Sequence, residues 1–407
     1  MSLSRNNPMD RLSVIFSGVV ISAVGAMFYN LLPLFLGTAQ DYRELSDQAV
    51  GVLSSSFYVG FTLTTSTAYF WIRRISWRSV TLVSVPIAAF AMILAGYAGS
   101  YALIVTGIFI SGCAFSALYG IGTTVLGDTS HAARWYGLKI ASEAGMGVIL
   151  LLILPGAVIA RWGFEGMMVA MAFTLLILAP LLAWLPKSGS KGGGETGDHR
   201  ALVIKPELRI ALWMALAGVM FFLFSTTMIW AFVERMANDA GFDPVATGNV
   251  LSLTLVFAVG GSLLAMLMGG GFGAGKPFTF ACLSLLVSLF LLARVDSLFD
   301  YGLAACVFTF AFGLGIPYVV TVVADLDIDG RFVVLTVPAI GIGVMVAPAI
   351  GGVLTGAQGY GAILWAGGGA VLIALIISLA ALRLGLPLAR AERDQAGREL
   401  LDPEPLL

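Results

Sequence analysis

Pro186-Lys-Ser-Gly-Ser-Lys-Gly-Gly-Gly-Glu-Thr-Gly-Asp-His-Arg-Ala-Leu-Val-Ile-Lys-Pro206 is the stretch whose reading decides the fold. Its Gly and Ser content cannot bury apolar surface, so it reads as a flexible linker. Nowhere else before the C-terminal tail do so many polar residues run together. On either side lies a hydrophobic block of nearly equal length, each with about six long apolar runs. The linker therefore divides the chain into two similar membrane-embedded halves joined by a polar loop.

Composition supports a membrane setting. The 407 residues are 59% hydrophobic and 11% charged, with a mean hydropathy of +0.96. A soluble chain of this size carries about twice that share of charge. Runs of about 20 apolar residues match the hydrocarbon thickness of a bilayer at the helical rise. A net charge of −1 with no basic stripe excludes a nucleic-acid partner. Cys113, Cys282 and Cys306 lie far apart inside apolar runs, which implies neither a disulfide framework nor a metal site.

Spans fall near 12–37, 48–72, 79–98, 102–127, 136–160 and 165–185, then 208–234, 245–269, 277–293, 301–324, 332–356 and 361–383. With both termini cytoplasmic, 18 of the 22 Lys and Arg lie on the inner side. Only Arg43, Arg161, Arg235 and Arg294 lie outside, a strong positive-inside bias. The expected organisation is a first bundle over 1–185, a cytoplasmic linker over 186–207, a second bundle over 208–385 and a cytoplasmic tail over 386–407. The expected location is the inner or plasma membrane, as a monomer surrounded by lipid. Ser46-Asp47 and Asp243-Pro244 read as capped helix starts.

The halves echo one another. Asp128 and Arg134-Trp135 between spans four and five match Asp325 and Arg331-Phe332 between spans ten and eleven. Gly156 and Gly163-Phe164 match Gly352 and Gly359-Tyr360, and Ala49-Val50-Gly51 matches Ala246-Thr247-Gly248. Duplicated units of this kind build transport sites at the interface of two rocking halves. Over almost its whole length the chain resembles the major facilitator superfamily. Arg73-Arg74-Ile75-Ser76-Trp77-Arg78 stands where that family has its signature loop after span two, with Arg74 and Arg78 at the basic positions. Arg73 replaces the usual Asp and Ser76 the usual Gly. Gly343, Ala347-Pro348 and Gly351-Gly352 are similar to the family's Gly/Pro-rich signature. The resemblance implies an all-α fold of twelve transmembrane helices in two pseudo-symmetric six-helix bundles. It also implies a central cavity lined by spans one, four, seven and ten.

Several residues in the spans could carry chemistry. Glu143 is a carboxylate inside span five, costly in lipid unless paired or protonated. It is the candidate for proton coupling, and the competing reading is a structural pair with Lys139 at i−4 or with Arg74. Tyr29 and Asn30 precede Pro33 in span one and could bond a substrate or a neighbouring helix. Tyr119, Thr227, Trp230, Phe312 and Tyr318 complete the substrate-binding candidates. Gly313-Leu-Gly-Ile-Pro317 is expected to weaken or kink span ten. Arg74, Asp128, Arg134, Asp325 and Arg331 are candidate gating residues, and ordinary positive-inside loops are the alternative. His131 and His199 fall in loops. The sequence contains no phosphate-cradling Gly loop ending in Lys-Ser/Thr and no hydrolase or redox motif. No enzyme activity, cofactor, metal or catalytic residue is expected.

These features predict a secondary transporter working by alternating access. Few cations reach the cavity, so a small neutral, zwitterionic or moderately apolar organic solute is the expected cargo, with protons as the candidate coupling ion. Alternatives on the same fold are a drug or amphiphile exporter, a lipid translocase, or a non-transporting assembly factor or sensor.

Overall fold

The structure, a computed structural model, describes residues 8–130, 132–188, 205–269, 271–328 and 331–401. Among the described residues it is helical with no strand. In the first half α1 is Leu12–Arg43, α2 Asp47–Trp71, α3 Trp77–Tyr97, α4 Tyr101–Gly127, α5 Ala132–Ile153 and α6 Ala160–Leu178. In the second, α7 is Pro206–Asp239, α8 Pro244–Met268, α9 Gly275–Leu292, α10 Leu298–Leu326, α11 Thr336–Gln358 and α12 Tyr360–Leu401.

Ten described stretches are long and apolar enough to cross a membrane. One of them, Leu138–Trp184, holds most of α5 and all of α6. Gly163 breaks it, with a φ of 55° and a ψ of −144° that only glycine adopts cheaply. The remaining helix, α2, has the length to span but carries Ser54, Ser55, Ser56, Thr62, Thr64, Thr65, Ser66 and Thr67, which lower its hydropathy. Counted this way, the described residues make twelve passages.

Caps start several helices where expected: the Ser46 side chain accepts from Ala49 N and the Asp243 side chain from Ala246 N. The segment from 386 that the sequence reads as a tail is helical and continues α12 to Leu401. The helix runs on through Gly385 and Pro387, and Glu392 and Arg393 tie the extension to Lys205 and to the Asp325 and Asp327 carbonyls. The segment around Pro317 stays helical. Proline orphans the carbonyl four residues earlier, and here the Ser262 hydroxyl donates to that Gly313 oxygen at 3.1 Å.

The halves share a plan. In the first, α1 packs on α2, α4, α5 and α6, α2 on α4, and α3 on α4 and α6. Each pairing recurs six helices later, as α7 on α8, α10, α11 and α12, α8 on α10, and α9 on α10 and α12. The seam between halves is made by α1 with α7, α2 with α11 and α5 with α8. Exchanging the halves maps this set onto itself, as a two-fold pseudo-symmetry requires.

Glycines bring the seam helices to backbone contact. A Cβ on Gly147 would stand 2.6 Å from Leu255, and one on Gly248 3.0 Å from the Leu151 carbonyl. Burial along the seam is graded. On the α2 face toward α11, Gly51, Ser55 and Tyr58 are buried, Thr62 is half-buried and Ser66 exposed. On α8, Gly248, Ser252 and Leu255 are buried, Val259 is half-buried, and Met266 is 66% exposed. On α5, Leu151 and Gly147 are buried, Ala144 is half-buried and Ile140 exposed. The halves therefore meet at the end away from the linker and part toward the end that carries it.

Candidate functional site

α1 carries Gly18, Ser22 and Gly25 on the face that crosses α4. A Cβ on Gly25 would lie 2.8 Å from the Tyr119 backbone, so the absence of a side chain brings α4 against α1 there. On α5 a spacing of four puts Lys139, Glu143 and Gly147 on one face, turned to α1. These placements assemble a polar cluster inside the first half. Lys139 Nζ lies 2.7 Å from Glu143 Oε1, with only 7% and 14% of the two side chains exposed. Ser22 Oγ donates to Glu143 Oε1 at 2.5 Å, and Asn30 Nδ2 donates to the Glu143 carbonyl at 2.8 Å. Lys139 Nζ also donates to Tyr119 Oη at 2.9 Å and lies 4.1 Å from the Tyr119 ring centre. Of the two partners that the sequence offers Glu143, the structure pairs it with Lys139.

A second group spans the seam. The Tyr29 ring stacks on Phe312 of α10, centres 6.2 Å apart. Trp230 Nε1 donates to the Tyr29 carbonyl at 3.0 Å. Pro33, four residues on, has no N–H for that carbonyl, so the indole fills a gap that proline opens. Tyr29, Asn30, Tyr119, Trp230, Phe312 and Glu143 thus converge at mid-depth, below the closed part of the seam. Thr227 shares the Trp230 face of α7, is fully buried, and its Oγ1 has no hydrogen-bond partner among the described residues. Tyr318 is placed apart: its hydroxyl reaches the Ala265 and Gly269 carbonyls of α8.

Sequence reasoning missed Tyr58. It is buried on α2, close enough to Tyr29 to interact electrostatically, and its hydroxyl is unpartnered among the described residues. The signal was available, since Gly51, Ser55, Tyr58 and Thr62 recur at helical spacing on the face that meets α11. The polar stripe Thr227, Trp230, Glu234 and Asn238 of α7 is also only partly legible in the sequence. Beyond it, Arg235 Nη1 of α7 bridges to Asp41 Oδ1 of α1 at 2.6 Å, an ion pair across the seam.

At the linker end, Arg74, Asp128 and Asp325 each make bonds within their own half. Arg73 grips Asp128 through two bonds, of 2.6 and 2.8 Å, and Asp128 is 1% exposed. Arg74 N bonds the Trp71 carbonyl, completing the turn after α2. The Asp325 carbonyl accepts from Arg393, while Asp327 receives the Phe332 and Val333 amides. The side chains of Arg134 and Arg331, together with His131 and His199, lie outside the described residues. No group of three or more His, Cys, Asp or Glu suited to a metal occurs among the described residues.

The family model described as Major Facilitator Superfamily matches residues 14–327. No curated protein sequence matches the chain. Among solved structures, a bacterial homologue of the human lysosomal transporter Spinster, in an inward-facing, unoccupied conformation, is 14% identical with a TM-score of 0.67, covering 92% of this chain and 96% of that one. The nucleoside transporter NupG and a D-xylose–proton symporter are each 12% identical with TM-scores of 0.69. Each covers 91% of this chain, which in turn covers 99% and 97% of theirs.

Proposed function

Because the chain belongs to the major facilitator superfamily, we propose that it carries a small neutral, zwitterionic or moderately apolar organic solute across the membrane by alternating access. The observation that carries this reading is the graded seam. The halves are closed beyond the Tyr29–Phe312–Trp230 group and apart toward the linker, so a solute from one side reaches mid-depth and stops. With the linker and both termini in the cytoplasm, this arrangement is the inward-open state.

In this reading the site pairs its charges before a solute arrives. Lys139 and Glu143 neutralise one another, so a net anion would find no free cation there. Tyr29 and Phe312 offer ring faces, and the buried Tyr58 and Thr227 hydroxyls offer hydrogen bonds. The pairing leaves Glu143 two roles, holding α5 to α1 or exchanging a proton when a solute displaces Lys139. Purified protein in liposomes with an entrapped pH-sensitive dye, screened against small organic solutes, tests both. A solute that moves protons through wild type but not through Glu143→Gln supports proton-coupled transport through Glu143. Solute movement unchanged by gradient and variant makes Glu143 structural, and no movement of any solute removes the transport reading.

A further inference from the structure

Glu234 stands at the far end of the seam, one turn of α7 beyond the Tyr29–Phe312–Trp230 group. It is 4% exposed, on the face of α7 that meets α1. Asn238 Nδ2 donates to its Oε1 at 2.8 Å, whereas Oε2 has no hydrogen-bond partner among the described residues. That oxygen lies against Gly37 of α1, where any side chain would collide with it. One residue along, Arg235 bridges to Asp41, with Tyr360 of α12 and Glu234 itself within electrostatic reach. Tyr301 of α10 faces the carboxylate from the remaining side, its own hydroxyl donating to the Val233 carbonyl. Above the group, an open cleft of about 620 Å³ is lined by Asp41, Arg235, Asn238, Asp239 and Tyr360, which puts water within one side chain of Glu234.

We propose that Glu234 is a proton-binding site loaded from the far-end cleft, and that its protonation holds the α1–α7 seam shut. A carboxylate with a bare oxygen is a poor occupant of a dry seam, and the neutral acid is a better one. When the halves swing and α1 leaves α7, the same group meets water, which solvates the ionised form. The proton is thus bound with the seam closed and released with it open. Linkage fixes the sign: acid favours the closed far end, and alkali favours its opening. Arg235 keeps its own partner, Asp41, throughout the closed state, so the change of charge falls on Glu234. This inference rests on the alternating-access reading and names its coupling residue, a role for which Glu143 is the rival.

The test needs no solute, so a failed solute screen and a failed proton site give different results. Spin labels at Gly99→Cys and Asp296→Cys, on exposed far-end loops of the two halves, report the far-end distance by pulsed electron resonance. The background replaces Cys113, Cys282 and Cys306 by alanine. In wild type, the ratio of short to long distances should rise about tenfold or more from pH 9 to pH 5. Glu234→Gln should give the short distance at both pH values. Gly37→Ala, which pushes on the carboxylate from α1, should give the long distance at both, and it keeps the test open if Glu234→Gln does not fold. A wild-type distribution independent of pH overturns the proposal. So does a pH response that survives in Glu234→Gln and disappears in Glu143→Gln.

Discussion

Trp230→Phe isolates one bond across the seam. The indole N–H is the donor that reaches the Tyr29 carbonyl, at 3.0 Å, and Pro33 denies that carbonyl its usual partner inside α1. Phenylalanine keeps the ring and removes the donor, leaving a buried carbonyl unpaired. That costs about 1–3 kcal/mol in the far-end-closed state. In the open state water reaches the carbonyl, so the cost falls on one state only. The closed population should drop by a factor of roughly 5–150. Distance distributions across the far end, recorded with and without the substitution, read this directly. Proline makes a control available. Pro33→Ala restores the N–H that Tyr29 lacks, so Trp230→Phe in that background should shift the distribution far less. The single and double variants form a cycle whose coupling should be about 1 kcal/mol or more. An equal shift in both backgrounds would refute the reasoning, as would no shift in either.

Three further outcomes follow from the site. Lys139→Met leaves Glu143 with the Ser22 hydroxyl alone and should destabilise the protein by about 3–5 kcal/mol, whereas Lys139→Met with Glu143→Gln should cost less than the sum of the singles. Thermal unfolding, followed by a thiol-reactive dye at the buried Cys282 and Cys306, measures both. Arg73→Ala should cost about 1.5–3 kcal/mol in the same assay by removing two charged hydrogen bonds to the buried Asp128, and Arg74→Ala under about 0.5 kcal/mol. Equal losses would contradict the assignment of the linker-end pair to Arg73. Tyr58→Phe removes a hydroxyl with no partner among the described residues, so stability should hold or rise, while solute affinity should weaken by up to about tenfold if that hydroxyl serves the solute. Unchanged affinity would remove Tyr58 from the site.

What the sequence discloses, and what it hides, has physical causes. Span number follows from apolar length, and the Lys139–Glu143 pair from a spacing of four on one helix face. Tyr29 and Asn30 stand out as polar side chains in an apolar run. Contacts between distant spans leave no such local mark. Asp41 and Arg235 lie at the ends of α1 and α7, where charge reads as a span boundary, and only the packing of the halves makes them a pair. Glu234 reads as the last residue of its span for the same reason. Motif alignment favours Arg74, yet the turn after α2 aims Arg73 at Asp128. Tyr318 stands out in the sequence beside Pro317, and its hydroxyl reaches the Ala265 and Gly269 carbonyls at the end of α8, a contact that leaves no local mark. The glycines of span ten, read in the sequence as weakening or kinking the helix, also serve contact: a Cβ on Gly315 would stand within 3.0 Å of the Phe222 ring.

Alternating access is tested most directly by fixing the far end shut. Asp41→Cys and Arg235→Cys place thiols on either side of the seam, where a short bis-maleimide can join α1 to α7. A disulfide-based linker of the same reach makes the join reversible. Flux of whichever solute the liposome screen identifies should stop on cross-linking and return on reduction, with either cysteine alone unaffected by the reagent. Flux that continues with the two helices joined would contradict the account.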